Sequence, residues 1–127
     1  MKPSDILIRA KEKISDRDHW IRGCSALNAM FRPVGSSDPQ ARYWCASGAV
    51  TSVLGADYNF ALDGPSLALT YLDDAAGEMG ASGIVFLNDT RFHEDVMEAF
   101  DRAIEKAKLH EDTDLKKIME GDQNVGR

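Results

Sequence analysis

Ile84-Val85-Phe86-Leu87-Asn88-Asp89 is the stretch on which the reading of this chain turns. Four apolar residues, two of them β-branched, end abruptly in Asn-Asp. That pattern predicts a short buried strand or extended segment. Directly behind it, residues 92 to 110 carry the cleanest amphipathic stripe in the sequence: Phe92, Val96, Ala99, Phe100, Ala103, Ile104 and Ala107. Glu98 and Arg102 add an i, i+4 ion pair on its wet side.

Working outward, residues 3 to 15 predict a first helix. Ser4 is its expected N-cap, and Ile6, Leu7, Ala10 and Ile14 are its buried stripe. Residues 20 to 37 are irregular. Trp20-Ile21 and Met30-Phe31 read as short strands across a turn at Asn28. Asp38-Pro39 has the form of an N-cap followed by a first helical proline, so a second helix is expected from Pro39 to Leu54, closed by Gly55. Gly48 would fall inside it, where glycine costs about 1 kcal/mol against alanine, and implies that a backbone or a ring packs there. Residues 56 to 63 form a linker with Tyr58 and Phe60. Gly64-Pro65 opens a third helix to Met79, with Ala68, Leu69, Leu72, Ala75, Ala76 and Met79 inward. After His110 the charged run 111 to 114 breaks the pattern. Thr113 would then cap a short last helix, Leu115 to Glu120, before Gly121 and a frayed tail.

The expected fold is therefore mainly α with a minor extended or β component, four to five helices around one core. Residues 1–110 form one helical domain and 111–127 a short C-terminal helix and tail. A chain of 127 residues suits one core. The net charge of −6 argues against a bulk electrostatic grip on nucleic acid. No apolar run approaches the ~20 residues of a membrane span, and the start of the chain has no signal-peptide core, so a cytoplasmic setting is expected.

Several residue sets could carry chemistry. Asn88-Asp89 is what turn and capping chemistry asks for. Alternatively its carboxamide and carboxylate face a ligand, with Arg91, His93 and the start of the following helix receptive to an anion. Cys45, expected in the second helix's second turn, would be a nucleophile only if His19 or His93 folds against it. It is also in register with Ala49 and Val53, which points into the core. The two cysteines, Cys24 and Cys45, are expected as reduced, partly buried thiols. No CxxC, HxxxH or HExxH spacing suggests a metal, and no Gly-rich loop suggests a phosphate cofactor, so neither is expected. Asp73-Asp74 reads as a solvated helix face. The aromatics Trp20, Phe31, Tyr43, Trp44, Tyr58 and Phe60 cluster in the first half, where some should line a surface groove.

Three blocks in this order resemble a known family. Trp20-Ile21-Arg22-Gly23 is similar to its Trp-x-x-Gly. Residues 37 to 50, with Asp38-Pro39, Ala41, Trp44-Cys45 and Gly48-Ala49, are similar to its Asp-Pro-x-Ala-x-x-Trp-Cys-x-x-Gly-Ala-Leu. Asn88-Asp89, Val96 and Phe100-Asp101-Arg102-Ala103-Ile104 are similar to its Asn-Asp and Val-x-x-x-Phe-Asp-Arg-Ala-Ile. The resemblance is to an uncharacterised family of small proteins of bacteria, notably actinobacteria, and their phages. Leu87 departs from its Trp before Asn-Asp, and the spacer to the next helix is about two residues shorter than the family norm. The resemblance implies a fold and motif positions, and no activity.

The expected function is a small non-enzymatic binding module, of phage or bacterial accessory type, for example a host-factor inhibitor. It would take a protein partner (a second copy of this chain included) or a small ligand at Trp20, Trp44, Asn88, Asp89 and Arg91. Two other readings stand beside it: a cysteine-dependent enzyme using Cys45 with His19 or His93, and an assembly component of a virion or complex. Any site should lie where Asn88 and Asp89 meet Trp44 and Cys45.

Overall fold

The computed structural model describes residues 1–58 and 66–125, with side chains as far as Thr113. Five helices and a two-stranded sheet follow in order: α1 (Pro3–Ile14), β1 (Ala26–Asn28), β2 (Ala41–Trp44), α2 (Ala46–Leu54), α3 (Leu67–Glu78), α4 (Ile84–Thr90) and α5 (His93–Val125). A single 3-10 turn, Arg17–His19, follows α1. The protein is mainly α with a minor β component.

The core is built from the stripes that periodicity predicts. Leu7, Ala10 and Ile14 of α1 and Leu72, Ala75 and Ala76 of α3 have no exposed surface. The same holds for Val96, Ala99, Phe100, Ala103 and Ala107 of α5. So many alanines let helix axes approach to the short end of the usual ~8–10 Å spacing. α5 packs against α1, α3 and α4, while α2 packs on α1. Phe92 stands apart from its expected stripe, 67% exposed, one residue ahead of α5. Lys11–Asp101 joins α1 to α5 at 2.6 Å, and Glu78 joins α3 to α5 through Lys106 at 2.5 Å and Arg102 at 3.8 Å.

Several expectations are corrected. Ile84–Thr90 is a helix and not a strand. Ile84, Leu87 and Asn88 are buried, at i, i+3 and i+4. The polar Asn88 within that stripe hides the helical period. Asp73 and Asp74 are both exposed on α3, as expected, and Asp73 Oδ1 also accepts the Ile84 N–H at 2.9 Å and fixes the start of α4.

The second correction concerns Asp38-Pro39, which makes a turn and not a helix start. Asp38 Oδ1 accepts from Gln40 N at 2.7 Å, and Ala41 N donates to Asp38 O at 2.9 Å, with Pro39 at the second turn position. The chain then extends as β2, antiparallel to β1. α2 begins only at Ala46, and Cys45 is its N-cap.

Third, Met30 and Phe31 form no strand. Phe31, with φ +60°, turns the chain beside Asn28, whose Oδ1 accepts from Met30 N and Arg32 N. Trp20 contributes one isolated parallel bridge to Trp44.

Last, α5 runs unbroken through Thr113, whose hydroxyl bonds back to Leu109 O at 2.8 Å instead of capping a new helix. Ser4 is not an N-cap either. It lies inside α1 and gives its N–H and hydroxyl to the Glu111 carboxylate at 3.1 and 2.7 Å. Phe60 and Gly64-Pro65 lie outside the described residues.

Candidate functional site

The centre of the site is the buried side chain of Asn88 on α4, 1% exposed. Its Oδ1 accepts from Trp20 Nε1 at 2.6 Å and from Ala46 N at 2.9 Å. Its Nδ2 donates to Ile21 O at 3.0 Å and to Asp89 Oδ1 at 3.1 Å. A carboxamide has two acceptor sites and two donors, so the whole capacity of Asn88 is used. Asn88 is thus a clamp joining three stretches: α4, the 20–22 segment and the first N–H of α2. Asn88 and Asp89 meet the Cys45-Ala46 start of α2, as expected, while the Trp44 side chain turns away to Ser36 and Lys13.

Asp89 continues the clamp outward. Its Oδ1 also accepts the Gly23 N–H at 3.0 Å, and Oδ2 makes no hydrogen bond among the described residues. Gly23, with φ +86°, sits where a side chain would be strained. The chain passes on through Cys24 and Ser25 into β1. Ser25 O accepts the Cys45 N–H at 3.2 Å. Gly48 makes that approach feasible, since a Cβ there would lie 2.0 Å from Ser25 O. The sequence expectation that another backbone presses on Gly48 is met, although Gly48 lies in the first turn of α2.

Between these segments lies a cleft of about 160 Å³, lined by Gly23, Cys24, Ser25, Cys45, Ser47, Val85, Asn88 and Asp89. Its walls are thiol, hydroxyl, carboxylate and one isopropyl group. Cys45 is 7% exposed. Its sulfur takes the Gly48 N–H at 3.3 Å and contacts Ser47 Oγ at 3.3 Å. Burial, then electrostatic repulsion from the neighbouring Cys45 and Asp89, pushes the Cys24 thiol above its usual range.

The other expected site residues are placed differently. Trp44 Nε1 donates to Ser36 O at 3.0 Å, and Lys13 Nζ lies 4.5 Å above the Trp44 ring. Arg91 donates to Met79 O at 3.0 Å, at the end of α3. His93 Nε2 is 2.6 Å from Ile14 O, the last carbonyl of α1, so Nε2 carries the hydrogen. The His93 ring also packs on Trp20 at 5.5 Å. Arg91 and His93 therefore each bond a carbonyl oxygen at a helix end. His19 lies against Tyr43, with ring centroids 6.5 Å apart. Neither imidazole is among the hydrogen-bond partners of Cys45.

Arg22, Asp73 and Cys24 were not anticipated as parts of this centre. Arg22 donates to Asn88 O at 3.3 Å and to Arg91 O, and its guanidinium lies 4.9 Å from the Trp20 ring centroid. It neutralises the negative end of α4 and stiffens Trp20. The adjacency of Trp20, Arg22 and Gly23 was the available signal, because a Trp-x-x-Gly block puts a ring, a cation and a turn on one short arc. Among the described residues no group of three His, Cys, Asp or Glu side chains could hold a metal ion. None of the described helices is long and apolar enough to cross a membrane.

No curated protein and no solved structure matches this chain. The chain belongs to a family of unknown function, DUF6197, whose profile matches residues 1–106.

Proposed function

We propose that this protein is a small non-enzymatic binding module that takes a protein partner over the cleft and the adjoining face of α4. The observation that carries the reading is the two-sidedness of α4. Ile84, Leu87 and Asn88 are buried, while Val85 and Phe86 beside them are 57% and 53% exposed. Val85 is also a wall of the cleft, so apolar surface runs directly into a polar recess. Apolar side chains held out on a well-anchored helix mark a contact surface.

The size of the cleft favours a partner over a free ligand. At about 160 Å³ it is below the ~300–1,000 Å³ of sites that enclose small molecules, and it suits one inserted side chain. Its charge favours a cationic one. Asp89 is the one charged side chain in the lining, its Oδ2 is open, and the nearby Arg22 is spent on carbonyl groups. The partner would lay an apolar residue on Val85 and Phe86 and bring a Lys or Arg to Asp89.

The test is native mass spectrometry of the protein purified gently from its own cells, in wild-type form and as Phe86→Glu and Asp89→Asn, the latter keeping an acceptor for Gly23 and Asn88 while removing the charge. The expected result is a stoichiometric protein partner on wild type, lost from both variants while their circular dichroism is unchanged. A wild-type protein that is free of partners, or a partner retained by both variants, overturns the reading.

A further inference from the structure

Cys24 and Cys45 are the only cysteines in the chain, and both line the same cleft. Three contacts fix the segment that carries Cys24. Gly23 N–H is tied to Asp89 Oδ1, Ser25 O is tied to Cys45 N, and Gly48 admits Ser25 O closer than any side chain would allow. Ser25, the residue after Cys24, accepts the Cys45 N–H, so the two cysteines lie on adjoining segments whose side chains line one cleft. A disulfide between them needs their Cα atoms within ~4.4–6.8 Å, a reach that two residues lining one cleft of about 160 Å³ can meet with a small movement of the 23–25 segment. Cys24 is half-buried and Cys45 is buried. The cleft leads to both.

We propose that the cleft is an oxidisable dithiol centre, in which a small hydroperoxide reacts at Cys45 and Cys24 then closes a disulfide. Hydrogen peroxide fits the recess, whereas a bulky oxidant does not. In the first step the Cys45 sulfur attacks one peroxide oxygen. An S–O bond forms, the O–O bond breaks, and the departing hydroxide leaves as water with the thiol proton. The Cys45 sulfur already holds the Gly48 N–H and touches the Ser47 hydroxyl, two groups able to steady charge on it. In the second step Cys24 attacks the sulfenic sulfur. The S–S bond forms, the S–O bond breaks, and the second hydroxide leaves as water with the Cys24 proton. Two thiols and one peroxide give one disulfide and two waters. Cys24 suits the second role by position, since it lines the same cleft and is less deeply buried than Cys45. Closure would draw the 23–25 segment toward α2. This inference does not rest on the partner reading.

The full chain is treated with hydrogen peroxide under native conditions, remaining thiols are alkylated, and the intact mass and a peptide map are read. Wild type is expected to lose both thiols together, with loss of two hydrogens, an intramolecular Cys24–Cys45 linkage, and recovery in dithiothreitol. Cys24→Ser should accumulate a sulfenic acid at Cys45 that dimedone traps. Cys45→Ser keeps an oxygen at the helix cap, so it should fold, and should leave Cys24 as a free thiol. Two retained thiols, oxidation without the internal link, a link only between molecules, or dimedone labelling of Cys24 instead of Cys45 each overturns the proposal. Partner binding measured on the reduced protein is independent of these outcomes.

Discussion

Replacing Asn88 by alanine should be the most damaging polar substitution in the described chain. The change strands the Ala46 N–H, which is buried at the start of α2, and the partly buried Trp20 Nε1–H and Ile21 carbonyl. A buried group left unpaired costs about 1–3 kcal/mol. Taking about 2 kcal/mol for Ala46 and about 1 for each of the other two, the loss is about 4 kcal/mol. That is a large share of the ~5–15 kcal/mol that holds a domain of this size. Urea unfolding followed by tryptophan fluorescence and by circular dichroism reads it directly. With a slope of about 2 kcal/mol per molar, the midpoint should fall by about 2 M. A loss under about 1 kcal/mol, with an unchanged slope, would mean that the clamp is not what holds these segments.

Asn88→Asp is the sharper companion, because its size is nearly unchanged. One carboxylate oxygen can keep the bonds from Trp20 and Ala46. The other then faces Ile21 O and Asp89 Oδ1, where only a donor fits. Burial and this repulsion raise the carboxyl's folded pKa above its unfolded value. A raised folded pKa means that stability is present below the unfolded pKa and is lost as pH rises through the folded one. The gap between Asn88→Asp and wild type should therefore widen from acid to neutral pH. A gap that is flat with pH would refute the proposed surroundings of the side chain.

Other expectations follow from the same contacts. Gly48→Ala should destabilise by at least about 2 kcal/mol in thermal melts, although alanine favours helix by about 1, because its Cβ meets the Ser25 carbonyl. A neutral or stabilising result would remove the close approach. Glu111→Ala should cost about 1 kcal/mol through loss of the cap on Ser4, although Glu111 lies beyond the stretch shared with the family. Urea unfolding checks it, and wild-type stability would count against the contact. Lys106 and Arg102 hold the Glu78 carboxyl below its usual range. Its contribution is therefore present at neutral pH and lost as pH falls through the depressed folded value. The melting temperatures of wild type and Glu78→Gln should differ near neutrality and converge in acid.

Helical periodicity carried most of the architecture. α1, α3 and the body of α5 lie where their stripes put them, since those stripes are continuous and apolar. Legibility failed where a local signal served a tertiary purpose. Asp38-Pro39 fits both a helix start and a turn, and pairing of β2 with β1 selects the turn. Ile84–Thr90 is too short for its period to show, and its β-branched residues suggest a strand. What makes it a helix is supplied from elsewhere: Asp73 at its start and Arg22 at its end. The site was legible in outline from Asn88, Asp89, Cys45 and Gly48. Its second thiol was not, because nothing in the spacing of Cys24 shows that segment 23–25 folds back against α2.

The capping pattern explains why the polar residues of the motif blocks read as a site although several of them are structural. The ends of these helices are satisfied mainly across the fold. Asn88 takes the first N–H of α2, Asp73 that of α4, and Glu111 the N–H of Ser4 in α1. Arg22, Arg91 and His93 in turn bond carbonyls at the ends of α4, α3 and α1. Each helix end carries orphan groups that must find partners, and cations belong at C-termini and acceptors at N-termini. In a core built largely of alanine, with little side-chain bulk to fix relative positions, such cross-links specify which helix meets which. Asn88, Arg91 and His93 are then accounted for by the fold. What the fold leaves over near α4, among the described residues, is Asp89 Oδ2, the two thiols that line the cleft, and the exposed side chains of Val85 and Phe86. The proposed partner contact and the proposed dithiol chemistry would both draw on those five residues, with the clamp holding them in place.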